Sequence, residues 1–261
     1  MRLKKIVCGL LALALALSLL AGCGKKDGLA FVGLPDGLAV NASMLSDTLQ
    51  TATELYDAAD FPLVAFDSVE GLYVYDVTVP GFYGVLIRYG DTVQYFAWQY
   101  YRITSQPKIA VRDYDGDGVK DLAAALLVNK GSLNRSEELH LVTLGENGFT
   151  DRVYTRDHLS SELKHTVSVS PKADGGEEEF VLLSRETSFA FSFPDRGSFQ
   201  GLYFDGYHSF DVGDAITGRL RIGLVFSGDI APVYGDGYTI KAEIRLSDGV
   251  LTAEDAKLIV E

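Results

Sequence analysis

Lys108-Ile109-Ala110-Val111-Arg112-Asp113-Tyr114-Asp115-Gly116-Asp117-Gly118-Val119-Lys120-Asp121-Leu122-Ala123-Ala124-Ala125-Leu126-Leu127-Val128 is the stretch on which the reading of this chain turns. Its first five residues alternate, with Ile109 and Val111 on one side, and read as a strand. Leu122 to Val128 is apolar on both faces and stops at Asn129-Lys130-Gly131. Alanine and leucine favour helix, but a run this short between turn signals suits a buried strand. Between the two lies an acidic loop.

The loop places Asp113, Asp115, Asp117 and Asp121 in one tight turn. Two carboxylates about 4 Å apart repel by roughly 4 kcal/mol at an effective dielectric of 20. Such a loop calls for a cation. Oxygen ligands suit a hard ion, and Ca²⁺ accepts irregular shells of six to eight oxygens more readily than Mg²⁺ does. The expected ligands are the side chains of Asp113, Asp115 and Asp117, the carbonyl of Val119, and Asp121 directly or through water. Gly116 and Gly118 permit the positive φ values of a tight wrap. An EF-hand is excluded, because its twelfth position requires Glu and here holds Ala124.

The pattern Asp-x-Asp-Gly-Asp-Gly-x-x-Asp-Leu resembles the calcium motif of FG-GAP/VCBS repeat proteins, whose repeats form propeller blades. Residues 83–155 as a whole resemble bacterial lipoproteins that carry a single such motif, with a weaker echo at 237–251. The resemblance implies calcium binding and export, and implies no activity. No second motif follows, so a full propeller of repeats is not expected.

The chain opens like an exported lipoprotein. Arg2, Lys4 and Lys5 precede the apolar run Ile6–Gly22, and Leu20-Ala21-Gly22-Cys23 resembles a lipobox. At 17 residues the run is shorter than the roughly 20 needed to span a bilayer. It reads as a signal peptide, residues 1–22. Cys23 is then the lipidation site, and residues 23–28 a lipidated cysteine and tether. The only other cysteine, Cys8, leaves with the signal, so no disulfide is expected.

Residues 29–261 are read as one β-rich calcium-binding domain. Removing three basic residues with the signal takes the net charge from −13 to −16. This disfavours nucleic acid and anionic lipid as partners. Strands are expected at Leu72–Val79, Val93–Trp98, Glu138–Leu144, Phe180–Leu183, Arg219–Phe226 and Tyr238–Leu246. Hairpin turns are expected at Gly90-Asp91, Asn147-Gly148, Asp205-Gly206 and Asp248-Gly249. Residues 43–59 and Asp157–Lys164 read as helices, the second capped by Asp157. The fold class is all-β, mainly antiparallel, arranged as a partial propeller or a sandwich, with one or two short helices.

Other candidates carry less chemistry. Tyr95-Phe96-Ala97-Trp98-Gln99-Tyr100-Tyr101 is an aromatic run that can stack sugars if exposed. Glu177-Glu178-Glu179 reads as a solvated loop entering a strand. His140, His158, His165 and His208 lack metal spacing. Asp205, Asp211 and Asp214 lack the order of the main loop. No nucleophile elbow, zinc-protease helix or phosphate loop occurs. The chain is therefore expected to be a non-catalytic binding or structural module at the cell surface. Its partners would be the membrane, through the anchor, and an extracellular protein or glycan. The alternative is an extracellular hydrolase of glycan or peptide, which would need convergent carboxylates or a His–acid pair in a deep pocket.

Overall fold

The computed structural model describes residues 28–261 apart from 51–59, 103, 132–133, 147, 172–178, 186, 193–196 and 235–236. In chain order, β1 (Ala30–Val32), β2 (Leu63–Asp67), β3 (Leu72–Asp76), β4 (Val85–Tyr89) and β5 (Thr92–Phe96) come first. Then follow β6 (Lys108–Arg112), β7 (Asp121–Lys130), β8 (Arg135–Gly145), β9 (Gly148–Tyr154) and the helix α1 (Arg156–Leu163). The chain continues with β10 (Ser168–Pro171), β11 (Glu179–Leu183) and β12 (Ser188–Ser192). It ends with β13 (Phe199–Asp211), β14 (Ile216–Phe226), β15 (Tyr238–Ser247) and β16 (Val250–Val260).

The all-β expectation holds, with α1 as a short helix. One sheet runs β1-β5-β4-β3-β2, a second β10-β11-β12, and a third β16-β15-β14-β13-β8-β7-β6 with β9 also on β8. Pairing is mainly antiparallel. Among the described residues two strand pairings are parallel, β1 with β5 and β13 with β8.

The sheets stack in layers, and β7 explains how. Asp121 to Leu127 is buried without a break. Leu122, Ala124 and Leu126 face the core shared with Val64, Leu72, Val74, Val85 and Ile87 of the first sheet. Ala123 and Ala125 face the opposite core, with Leu139, Leu141, Leu159 and Leu220. A strand covered on both sides needs apolar residues at every position, which overrides the helix preference of its alanines. The far face of the first sheet, with Leu63, Tyr75 and Leu86, is covered by Leu29, Leu38, Leu45 and Phe61.

Local turn chemistry sets several corners. Gly90-Asp91 joins β4 to β5. Asp248-Gly249 joins β15 to β16, with φ of 52° and 77° at the two residues, the mirror-image turn that Asp-Gly favours. Gly145 pairs with Gly148 at the β8–β9 corner, where Asn147 lies outside the described residues. Asp205-Gly206 is not a turn. It lies inside β13 at an irregularity between Tyr203 and Tyr207. A side chain on Gly206 would collide with the Tyr234 ring, so tertiary crowding requires the glycine.

The expected helix at Asp157–Lys164 forms one residue earlier. Its cap is Thr155, whose hydroxyl accepts from the His158 amide while the His158 ring accepts from the Thr155 amide. Leu159 and Leu163 are buried, as their spacing suggests. The helix expected over 43–59 does not form in the described part of that segment. Asn41 caps a single 3₁₀ turn at Ala42–Met44, and Leu49 bridges to Leu63. Residues 51–59 lie outside the described residues. Among the described residues no helix is long and apolar enough to cross a membrane.

Candidate metal centre

The acidic loop connects β6 to β7, whose ladder ends at the pair Arg112 and Asp121. The loop folds on its own carboxylates. Asp113 Oδ1 accepts from the Gly116 amide at 2.8 Å and its Oδ2 from the Gly118 amide at 2.9 Å. Asp115 Oδ1 accepts from the Asp117 amide at 3.2 Å, and Asp117 Oδ1 from the Val119 amide at 2.7 Å. Gly116 and Gly118 between these turns are left-handed, with φ of 78° and 86°, a conformation glycine adopts at no steric cost.

The result brings three of the expected ligands together. Asp113, Asp115 and Asp117 are exposed, with one carboxylate oxygen each within 4.8 Å of the others. Two oxygens that share a calcium ion at about 2.3–2.6 Å stand at most about 5 Å apart. The triad therefore can hold a metal ion. Val119 is exposed two residues further on.

Asp121 occupies a different environment. It is 1% exposed. Its Oδ1 accepts from Thr143 Oγ1 at 2.7 Å and its Oδ2 from the Tyr114 amide at 3.1 Å. Arg152 donates in turn to Thr143 Oγ1. Burial raises the Asp121 pKa, with Asp115 and Asp117 adding to the rise and the two hydrogen bonds opposing it. In this structure Asp121 braces the loop from below rather than joining the exposed triad.

The loop is also tied to its neighbours. The Tyr114 hydroxyl donates to the Gly213 carbonyl at 2.7 Å, and burial pushes that phenol up to about 12. Arg112 reaches Asp214 at 3.2 Å, and Lys120 reaches Glu70 at 3.3 Å. The turn between β13 and β14 and the turn between β2 and β3 therefore meet at the base of the loop. Asp214 is engaged by Arg112, and Asp211 by Arg219 at 2.8 Å. Among the described residues they form no acidic cluster with Asp205.

The aromatic run divides between core and surface. Trp98 is buried, packs on His140 at 4.2 Å between ring centroids, and donates to Asp151 Oδ2 at 2.7 Å. His140 Nδ1 lies 2.9 Å from the same oxygen. His140 is thus a packed residue with a carboxylate partner. Tyr101 is exposed at the end of the run. Glu177 and Glu178, Cys23 and residues 1–22 lie outside the described residues.

Two buried polar residues have roles that sequence reading did not assign, because nothing local marks their partners. Glu137 is 2% exposed and accepts from Lys108 Nζ at 2.8 Å and the Phe210 amide at 2.9 Å. His208 is 1% exposed and pairs with Ser160 Oγ at 2.8 Å.

Fold and site together define a class: a layered β protein with an exposed acidic hairpin loop able to hold a metal ion. Comparison with protein-family models, with curated proteins and with solved structures finds no match to this chain.

Proposed function

We propose that this is a calcium-stabilised lipoprotein, anchored outside the cytoplasm, that acts as a non-catalytic binding module. The observation that carries the reading is the convergence of Asp113, Asp115 and Asp117 in the β6–β7 loop. Carboxylate-only donors in an irregular loop favour calcium over metals that prefer nitrogen or sulfur. The likeness of Asp113–Leu122 to the FG-GAP/VCBS motif supports the same ion. In this reading the remaining oxygens of the triad and the Val119 carbonyl hold calcium, and Asp121 fixes the loop, with any contact of its own made through water. The ion would fasten the loop to the two turns that meet beneath it and so keep the adjoining strands rigid.

Calcium should raise the unfolding midpoint. With a Kd of about 10⁻⁴ to 10⁻³ M, as in extracellular modules, roughly 10 mM ion contributes about 1.4–2.7 kcal/mol. For a domain of this size that is a shift of about 3–10 °C. Asp117→Ala should abolish the shift. Thermal melts in calcium and in chelator are the check, and equal midpoints for the wild type would reduce the loop to a solvated acidic turn.

The anchor rests on Arg2, Lys4 and Lys5, the apolar run and Leu20-Ala21-Gly22-Cys23. Acyl chains on one cysteine supply the two or more anchors that stable attachment needs. A labelled fatty acid should mark the wild type in cells and not Cys23→Ser. Label retained by that variant would refute the anchor.

One observation favours the hydrolase alternative. His140 and Asp151, with Glu138, line a cleft of about 510 Å³. The Asp151 oxygen that faces His140 also accepts the Trp98 indole, and the imidazole is packed on that indole. The pair is built into the packing of the first sheet on the third, which is why the binding module is the preferred reading.

A further inference from the structure

We propose that the cleft beside β3, between Tyr83 and the segment 98–102, binds a neutral carbohydrate chain. The proposal deepens the binding-module reading, and its site is separate from the acidic loop. The cleft measures about 400 Å³, within the roughly 300–1,000 Å³ usual for small-molecule sites. Three features of its lining select the ligand.

The first is aromatic. Tyr83 is 65% exposed and Tyr101 46%, and both line this cleft. An aromatic face is electron-rich and attracts the weakly positive hydrogens of an apolar surface. The axial C–H face of a pyranose ring presents such a surface, while its hydroxyls point outward.

The second feature is a floor with balanced charge. Asp76 is 1% exposed and pairs with Arg102 Nη1 at 3.2 Å, and the same nitrogen donates to the Val77 carbonyl. A carboxylate beside a guanidinium offers acceptors and donors in fixed planes, as vicinal hydroxyls require, with no net charge. Gln99, exposed at the same cleft, adds a planar amide. A neutral ligand fits this floor better than an anionic polymer, which the chain's net charge of −13 would repel.

The third feature is an incompletely used hydroxyl. The Tyr100 hydroxyl is enclosed beside the Asp76 carboxylate, and its contact there falls short of a well-formed hydrogen bond. Buried polar groups are nearly always paired. A ligand hydroxyl in the cleft would complete its pairing.

The test uses the protein's single tryptophan as its probe. Trp98 lines this cleft and also the cleft beside His140 and Asp151, so its fluorescence detects a ligand at either, and the Tyr83 and Tyr101 variants, which line only this one, assign the response. The full chain is titrated with cellohexaose, chitohexaose and laminarihexaose, each with and without chelator, and with a neutral hexapeptide as comparison. At least one hexasaccharide should change the fluorescence saturably. Tyr83→Ala and Tyr101→Ala, both at exposed positions, should each weaken that binding at least tenfold, and Tyr100→Phe should do so by removing one oxygen. No response to any of the three sugars overturns the proposal, as does binding that all three variants leave intact. Response to the peptide alone overturns the carbohydrate assignment and leaves the binding-module reading in place. Sugar binding that persists in chelator supports the cleft even where calcium stabilisation fails.

Discussion

Glu137→Ala should lower the stability of the protein by about 3 kcal/mol, read by urea unfolding at pH 7. The third sheet has one weak seam. β8 and β13 run parallel and pair at only two positions, Tyr207 with Arg135 and His208 with Ser136. Beyond them the ladder stops, and Glu137 takes over. Its Oε2 accepts from the Phe210 amide at 2.9 Å and from Lys108 Nζ at 2.8 Å, while Lys108 Nζ also donates to the Phe210 carbonyl at 2.6 Å. A glutamate and a lysine thus replace a missing rung and tie β6, β8 and β13 together.

Breaking a buried ion pair by removing one partner costs about 3–5 kcal/mol. The low end applies here, because the Lys108 side chain is 40% exposed and can turn to water. The Phe210 amide has no such escape. Glu137→Gln keeps an acceptor for that amide and should cost only about 1 kcal/mol, the scale of one weakened hydrogen bond. If Ala and Gln both stay within 0.5 kcal/mol of wild type, the seam is held by something other than this carboxylate.

Acidification should cost a further large amount, through His208. The imidazole is 1% exposed, with Nε2 on Ser160 and Nδ1 enclosed without a partner among the described residues. Burial is the main cause that lowers its pKa to about 4, and the Arg156 charge adds to it, against Asp205, Asp157 and the Phe204 backbone. In the unfolded chain the ring titrates near 6.5. Between pH 6.5 and 4 the unfolded state therefore binds the extra proton. Stability falls as pH falls through that window and levels off below it.

From pH 7.5 to 4.5 the His208 contribution amounts to about 2.5 kcal/mol. Unfolding in chelator removes the separate loss that comes from protonating metal ligands. Comparing wild type with His208→Gln at the two pH values isolates the residue. The variant should lose about 2.5 kcal/mol less on acidification. An equal loss in both proteins would assign the acid sensitivity to other groups.

What the sequence determined by itself was local. Asp113, Asp115, Asp117, Gly116 and Gly118 lie within six residues, so their spacing alone puts the carboxylates in one tight turn. Asp248-Gly249 makes its turn from its own two φ angles. The unbroken apolar run after Asp121 already implied a strand buried on both faces, because any solvent-facing side would carry polar residues. The calcium reading also came from sequence, and the structure adds the convergence of three carboxylates.

The remainder depended on partners far away in the chain. Sequence left Asp121 as a direct or water-bridged ligand, and only the fold shows that Thr143 on β8 donates to one of its oxygens. Asp205-Gly206 has the composition of a turn, yet the Tyr234 ring makes it the crowded middle of a strand. Trp98 and His140 carry no mark of each other in sequence, since Asp151, which both touch, arrives from the next strand. Glu137 depends on Lys108 and Phe210, 29 and 73 residues away. Short-range pattern reports only the torsions and alternation of neighbouring residues. Whether a buried charge is satisfied, or an aromatic faces core or cleft, depends on which strands the fold brings beside it. Here that was decided by the strand order of the third sheet and by the stacking of the first upon it.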